Sequence, residues 1–204
     1  MDSTAELINI DDAPELAVNQ ASKIFITGDI FIYPTDTVYG FGCNPFNKTS
    51  LKKLDAIKGR VSDKRYILLI DSLEMLFKYT VLLNEQQIEF LDKNWPNPLS
   101  AILRLNESTR KNLDYNSAAF RIPDNAFCMN LLRKVKTPLV STSVNITGGK
   151  QLNKFSEIKS EFADKVAAIF YTKNETPAEP STLIDLTKSE PVVLREGKIK
   201  FIEL

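Results

Sequence analysis

At 204 residues, 43% apolar and 25% charged, the chain can bury one sizeable core and carries no low-complexity tract of the kind that stays disordered. Acidic and basic residues balance at 26 each, which removes any case for nucleic-acid binding from net charge and leaves only local patches. With no histidine and two cysteines, a Ser-His-Asp or Cys-His mechanism, a His-ligated metal and a disulfide framework are all excluded.

The first residues are polar and acidic, unlike a signal peptide, and no apolar run approaches the roughly 18–20 residues needed to cross a bilayer. A cytoplasmic protein with no membrane contact is expected. Asp12, Ala13 and Pro14 open a helix with Leu16, Ala17, Ala21 and Ile24 as its apolar face. Gly28-Asp29 turns the chain into a strand over Ile30–Tyr33. Thr49 or Ser50 caps a second helix, in which Leu51, Leu54 and Ile57 recur at three-residue spacing before Gly59. Tyr66–Ile70, wholly apolar, reads as a strand covered on both faces. Ser72–Tyr79 and Asn84–Lys93 read as helices, followed by the breaker Trp95-Pro96-Asn97-Pro98. Strands are expected over Ala101–Leu105 and Ala118–Ile122, then a helix over Asn125–Lys136 and a strand over Pro138–Val140. A loop follows Val140, then a helix around Phe155–Phe162, and strands near Ala167–Tyr171, Thr182–Leu186, Val192–Leu194 and Ile199–Ile202. No repeat or linker divides the chain. The expected architecture is one α/β domain over residues 1–204, a twisted mixed sheet flanked by helices.

Chemistry concentrates in three places. Pro34-Thr-Asp-Thr-Val-Tyr-Gly40 puts hydroxyls and a carboxylate on a turn after a strand, where open α/β sheets bind ligands. Taken alone it reads equally well as a strand-ending turn. Ser141-Thr-Ser-Val-Asn145 adds hydroxyls and an amide after another strand, or is a simple Ser/Thr turn. Lys58-Gly59-Arg60 sets two cations at a helix end, where they also complement the dipole. Together, hydroxyls and cations suit a polyanionic ligand. Gly40-Phe-Gly42 and Gly148-Gly-Lys150 complete neither nucleotide fingerprint and are most simply turns. Cys43 and Cys128 read as core residues, and Trp95 as a packed loop anchor.

Six segments in register resemble the YrdC/Sua5 family: Pro34–Gly40, Lys58 with Arg60, Phe120-Arg121-Ile122-Pro123, Ser143 with Asn145, Pro180–Asp185, and Leu194–Gly197. The resemblance runs from about residue 13 to the last residue and matches the short, single-domain branch without a carboxy-terminal extension. It implies a YrdC-like fold and a threonylcarbamoyl-AMP synthase, which makes L-threonylcarbamoyladenylate and pyrophosphate from L-threonine, bicarbonate or CO2, and ATP. The product serves the N6-threonylcarbamoyladenosine (t6A) modification of tRNA. In that reading Lys58 and Arg60 are catalytic and, with Ser117, Ser143, Asn145 and Arg195, hold ATP. Thr35, Arg121 and Ser181, with backbone near Leu69 and Ser141, hold threonine, Arg121 suiting its carboxylate. The amine captures bicarbonate to give a carbamate, an oxygen of which attacks the α-phosphate and expels pyrophosphate. Lys58, Arg60 and a Mg2+ ion brought with ATP stabilise the charge; no metal-binding side chain is expected. Downstream tRNA threonylcarbamoyl-transfer proteins are the implied partners, with tRNA itself a possible ligand.

Two departures from the family pattern lie beside the cations: Val61 follows Arg60 where proline is usual, and Lys64-Arg65-Tyr66 replaces an Asn/Lys-Pro/Gly-Leu step. Both bear on the rigidity of that loop. Two alternatives stay open. One is a carbamoyltransferase-like module of hydrogenase maturation. The other is an RNA-binding protein of the same fold, using Lys52, Lys53, Lys58, Arg60, Lys64 and Arg65 as a basic rim.

Overall fold

The computed structural model describes residues 4–60, 66–173, 179–188 and 190–200. In chain order the elements are β1 (Glu6–Asn9), α1 (Pro14–Thr27), β2 (Phe31–Tyr33), β3 (Gly40–Gly42), α2 (Lys48–Lys58), β4 (Ile67–Leu69), α3 (Leu73–Phe77) and α4 (Glu85–Asn94). They continue as β5 (Leu99–Arg104), α5 (Glu107–Leu113), β6 (Ser117–Arg121), α6 (Ala126–Val135), β7 (Leu139–Ser143), α7 (Phe155–Phe162), β8 (Ala168–Tyr171), β9 (Thr182–Asp185) and β10 (Val192–Arg195).

The ten strands form one mixed sheet in the order β1-β8-β2-β3-β7-β4-β6-β5-β9-β10. Strand β7 is central and antiparallel to both neighbours, with Gly40 opposite Ser143 and Ile67 opposite Ser141. Strand β4 runs parallel to β6, which places Leu69 beside Arg121.

Side chains alternate across the sheet, and that period of two separates the core into two layers. Ile32, Leu68, Phe120, Val140 and Ile169 face a layer closed by helical residues such as Leu54, Leu76, Phe90 and Phe162. Phe31, Tyr33, Leu69, Leu139 and Phe170 face the other way, under Ala17, Ala21 and Phe25 of α1 and Phe127, Leu131 and Leu132 of α6. Each large side chain buried in these layers stabilises the fold by about 1.5–3 kcal/mol. The second layer covers only part of its face. Beyond Leu69 and Leu139, no helix among the described residues closes the side of the sheet carrying Ile67, Ser117, Ala119 and Ser141, and this bare half becomes the floor of a cavity.

Several expectations are corrected. Leu16 is 56% exposed, and Val18, Ser22 and Phe25 join Ala17 and Ala21 on the buried face of α1. Asn47, not Thr49 or Ser50, caps α2, accepting from the backbone of both. Gly40-Phe-Gly42 is a strand rather than a turn, and β7 continues through Ser141, Thr142 and Ser143, where a loop was expected. Strand β1 and helix α5 were not anticipated. The last expected strand falls on Ile199 and Lys200, which carry none, and on residues outside the described set. Both cysteines are buried, with thiols pushed up by burial, and Trp95 is a loop anchor whose Nε1 donates to the Leu99 carbonyl at 2.7 Å. No helix of the described residues is long and apolar enough to cross a membrane.

Candidate functional site

A cavity of about 900 Å³ opens over the bare half of the sheet, at the upper end of the range for small-molecule sites. Lys58, Arg60, Arg121 and Arg195 line it, and no acidic side chain of the described residues does. Because β6 and β7 run in opposite directions, their carboxyl ends lie at opposite ends of the floor. One end carries Arg121; the other carries Ser143 and Asn145.

At the Ser143 end, α2 delivers Lys58. Gly59 closes the helix at φ 57°, a left-handed conformation that glycine adopts without strain, and turns the chain so that Arg60 follows. Lys58 is only 3% exposed. Its Nζ donates to the carbonyls of Ser143 at 2.7 Å and Asn145 at 3.0 Å and to Asn145 Oδ1 at 3.0 Å. An ammonium has three N–H groups, so all are engaged. Asn145 Oδ1 also accepts from Ser143 Oγ at 2.8 Å, while its Nδ2 donates to the Gly149 carbonyl at 2.9 Å. Burial, reinforced by the nearby Arg60 charge, lowers the Lys58 pKa to about 8. Arg60 differs: its Nε and Nη1 are buried and find no hydrogen-bond partner among the described residues.

At the other end, Arg121 is the last residue of β6. Its Nη1 donates to Thr37 Oγ1 at 3.0 Å, and its Nη2 lies 3.4 Å from Asp36 Oδ1, with the two side chains 3% and 7% exposed. The pair is an ion pair without a hydrogen bond. Arg121 Nε and both Asp36 oxygens lack a hydrogen-bond partner among the described residues. Thr35 Oγ1 accepts from the backbone N–H of Thr37 and Val38, and lies 2.9 Å from Thr37 Oγ1. It builds the turn that carries Thr37 to Arg121. Ser181 Oγ lies 2.9 Å from Ser100 Oγ, and Arg195 fastens Ser181 with Nε and Nη2 donating to its carbonyl at 3.0 and 2.8 Å. Gly197 permits the turn after β10: a Cβ there would sit 2.4 Å from the Pro180 carbonyl oxygen.

Of the site residues expected from sequence, Lys58, Arg60, Ser117, Arg121, Ser141, Ser143, Asn145, Ser181 and Arg195 all line the cavity. Thr35 and Leu69 do not. Thr35 is turned into its own loop; the Leu69 side chain lies under α1 and α6, on the covered part of the same sheet face, which does not bear on the expected role of the backbone there. Thr37 and Tyr66 line the cavity and were missed as site residues. Thr37 sits inside the quoted turn motif, which was therefore a sufficient signal for its neighbourhood though not for its orientation. Val61, Lys64 and Arg65 lie outside the described residues. Of the supposed basic rim, Lys58 is buried and Lys53 pairs with Asp29 at 2.7 Å.

The family model Sua5/YciO/YrdC, described as telomere recombination, matches residues 23–197. The chain belongs to this family. Two structures of Sua5 from P. abyssi, a double variant and a complex with L-threonine, are each 28% identical, with TM-scores of 0.87 and 0.86. They cover 95% and 94% of this chain but only 60% and 57% of their own, so the chain spans somewhat more than half of Sua5. E. coli YciO is 27% identical with a TM-score of 0.84, covering 96% of both chains. HypF in a phosphate- and nucleotide-bound form, at 15% identity and TM-score 0.76, shares the fold alone.

Proposed function

We propose that this chain is an L-threonylcarbamoyladenylate synthase acting on L-threonine, bicarbonate and ATP. The observation that carries the reading is the lining of the cavity, which among the described residues has four cations, no carboxylate, and unpaired guanidinium donors at both ends. Such a site suits a ligand that is anionic along its length. The Sua5 complex is with L-threonine, the substrate this reading needs.

In this scheme Arg121 Nε and Thr37 receive the threonine carboxylate, a charge-assisted contact. The free threonine amine attacks the carbon of bicarbonate or CO2, giving the carbamate and releasing water where bicarbonate is used. A carbamate oxygen then forms a bond to the α-phosphorus as the bond to the β-phosphate oxygen breaks, and pyrophosphate leaves. Arg60 offers Nε and Nη1 to phosphate oxygens. Lys58, its N–H groups already engaged, contributes a fixed positive charge that need not reorient as negative charge moves to the leaving group. No protein nucleophile is required, which agrees with a chain without histidine.

The described residues hold no group of three or more acidic or thiol side chains, so magnesium would enter as its complex with ATP, held by phosphate oxygens and water. It would neutralise phosphate charge there. Transfer to tRNA by downstream proteins and a cytoplasmic location belong to the same proposal. The buried Lys58 and paired Lys53 weigh against the basic-rim reading of an RNA-binding protein.

The deciding experiment incubates the purified chain with ATP, L-threonine, bicarbonate and Mg2+, following pyrophosphate and the adenylate by mass. Product is expected only when all four are present. Absence of both pyrophosphate and adenylate from the complete mixture refutes the synthase reading.

A further inference from the structure

Arg60 needs its guanidinium aimed into the cavity for Nε and Nη1 to serve a ligand, yet no ion pair among the described residues holds it. Its support is aromatic. The guanidinium carbon lies 4.3 Å from the centroid of the Tyr66 ring, and Tyr66, 7% exposed, lines the same cavity. The Tyr66 hydroxyl donates to the Asp55 carboxylate. Asp55 in turn lies on α2, and its carbonyl accepts the Arg60 backbone N–H at 2.9 Å. Backbone, carboxylate, phenol and guanidinium thus close a ring that begins and ends at Arg60.

The choice of contact matters chemically. A carboxylate would engage the guanidinium edge, where every N–H points, and would compete with an anionic ligand. The Tyr66 ring, 4.3 Å from the guanidinium carbon, holds the cation while Nε and Nη1 stay without a hydrogen-bond partner among the described residues. We propose that Tyr66, anchored by Asp55, is the positioning residue that orients Arg60 toward the phosphates of the nucleotide. The identity of that nucleotide rests on the synthase reading; the orientation of Arg60 toward a phosphate anion does not. Burial first, and the hydrogen bond to Asp55 second, push the Tyr66 phenol well above its ordinary range, so it stays a donor across the working pH.

The test measures pyrophosphate and ATP affinity by calorimetry without threonine, and steady-state KM for ATP and for threonine. The variants are Tyr66→Leu, Tyr66→Phe, Asp55→Asn and the double variant Tyr66→Phe/Asp55→Asn. Loss of the stack in Tyr66→Leu should weaken pyrophosphate binding and raise KM for ATP about three- to thirty-fold, with threonine KM unchanged. Tyr66→Phe keeps the ring and should restore most of this loss. Its residual defect should match that of Asp55→Asn, and the double variant should be no worse than either, because all three cut one link.

Wild-type pyrophosphate affinity in Tyr66→Leu, or equal losses for threonine and pyrophosphate, overturns the inference. Should Tyr66→Leu fail to fold, the phenylalanine and asparagine variants decide: equal partial losses support the anchor, and wild-type affinity in both removes it. A wild-type chain that binds pyrophosphate with this Tyr66 dependence but makes no adenylate refutes the synthase reading alone. An active wild type whose pyrophosphate affinity ignores Tyr66 refutes the positioning role alone. A chain that binds neither pyrophosphate nor ATP refutes both.

Discussion

Two buried cations, Lys58 at one end of the cavity and Arg121 at the other, are held in opposite ways. Lys58 arrives with every N–H group engaged by Ser143 and Asn145, so its charge is set before any ligand enters. Arg121 is equally buried, but it faces an Asp36 carboxylate it does not hydrogen-bond, and its Nε is unpaired. Lys58 is set in advance; Arg121, like Arg60 beside Lys58, keeps donors for a ligand. A preformed charge suits the place where charge moves during the reaction, because no dipoles need reorganise there. An incomplete guanidinium suits recognition, because the right carboxylate relieves a polar group that is costly to leave unmet. Four substitutions or titrations separate the two ends.

The largest effect is expected at Lys58. Lys58→Met removes the donor to three partly buried oxygens and should cost about 1–3 kcal/mol of stability, read from a thermal or urea melt. Pyrophosphate release should fall by about 10²-fold or more, the scale seen when one preorganised stabilising group is lost. A stable variant with an undiminished rate would place the charge stabilisation elsewhere.

The titration of Lys58 gives a second separation. Its folded pKa of about 8 lies below the ordinary 10.5. The charged form prevails below about 8, so nucleotide affinity should weaken as pH rises through that value. Stability should move the other way. Between about 8 and 10.5 the unfolded chain binds more protons than the folded one, so this group makes the folded state relatively more stable as pH rises. Lys58→Met should flatten both trends. Affinity and melting curves measured from pH 7 to 10 decide it, and parallel trends in wild type would refute the assignment.

At the other end, Arg121→Leu should reduce threonine affinity about ten- to hundred-fold while ATP affinity without threonine stays unchanged. It should also destabilise the fold by about 3 kcal/mol, because the Asp36 charge is left buried and unpaired. Asp36→Asn in the same chain should restore the stability but not the threonine affinity. Recovery of both would make Arg121 a structural residue, and equal losses for threonine and ATP would do the same.

The sequence made the clustered cations and hydroxyls legible because their motifs sit at turns and strand ends, which proline and glycine punctuate. It did not reveal how far the strands run. Ser141-Thr-Ser143 reads as loop by hydroxyl content, yet the neighbours β3 and β4 recruit it into β7. Gly40-Phe-Gly42 reads as punctuation for the same reason and is a strand. Helix α5, Glu-Ser-Thr-Arg-Lys-Asn-Leu, has almost no apolar period and owes its start to the Asn106 cap. The exchange of Thr35 for Thr37 has a finer cause. Both hydroxyls lie in one motif, and only the local hydrogen bonds decide which turns inward.

The smallest effect is expected at Arg195, and it tests which end that residue serves. The sequence motif assigns it to the nucleotide. In the structure its side-chain hydrogen bonds run to Ser181: Nε and Nη2 to the carbonyl at 3.0 and 2.8 Å, and Nη2 to Oγ at 3.1 Å. Burial, then the Arg121 charge, lowers its pKa, but a guanidinium remains charged in the working range. Arg195→Lys therefore keeps the charge and loses the fork. If Arg195 acts by holding Ser181, the variant should weaken threonine binding about fivefold, the equivalent of about 1 kcal/mol for lost hydrogen bonds, and leave ATP binding unchanged. If it contacts the nucleotide directly, ATP affinity should fall while threonine affinity holds. Separate titration with each ligand assigns Arg195 to one end of the cavity or the other.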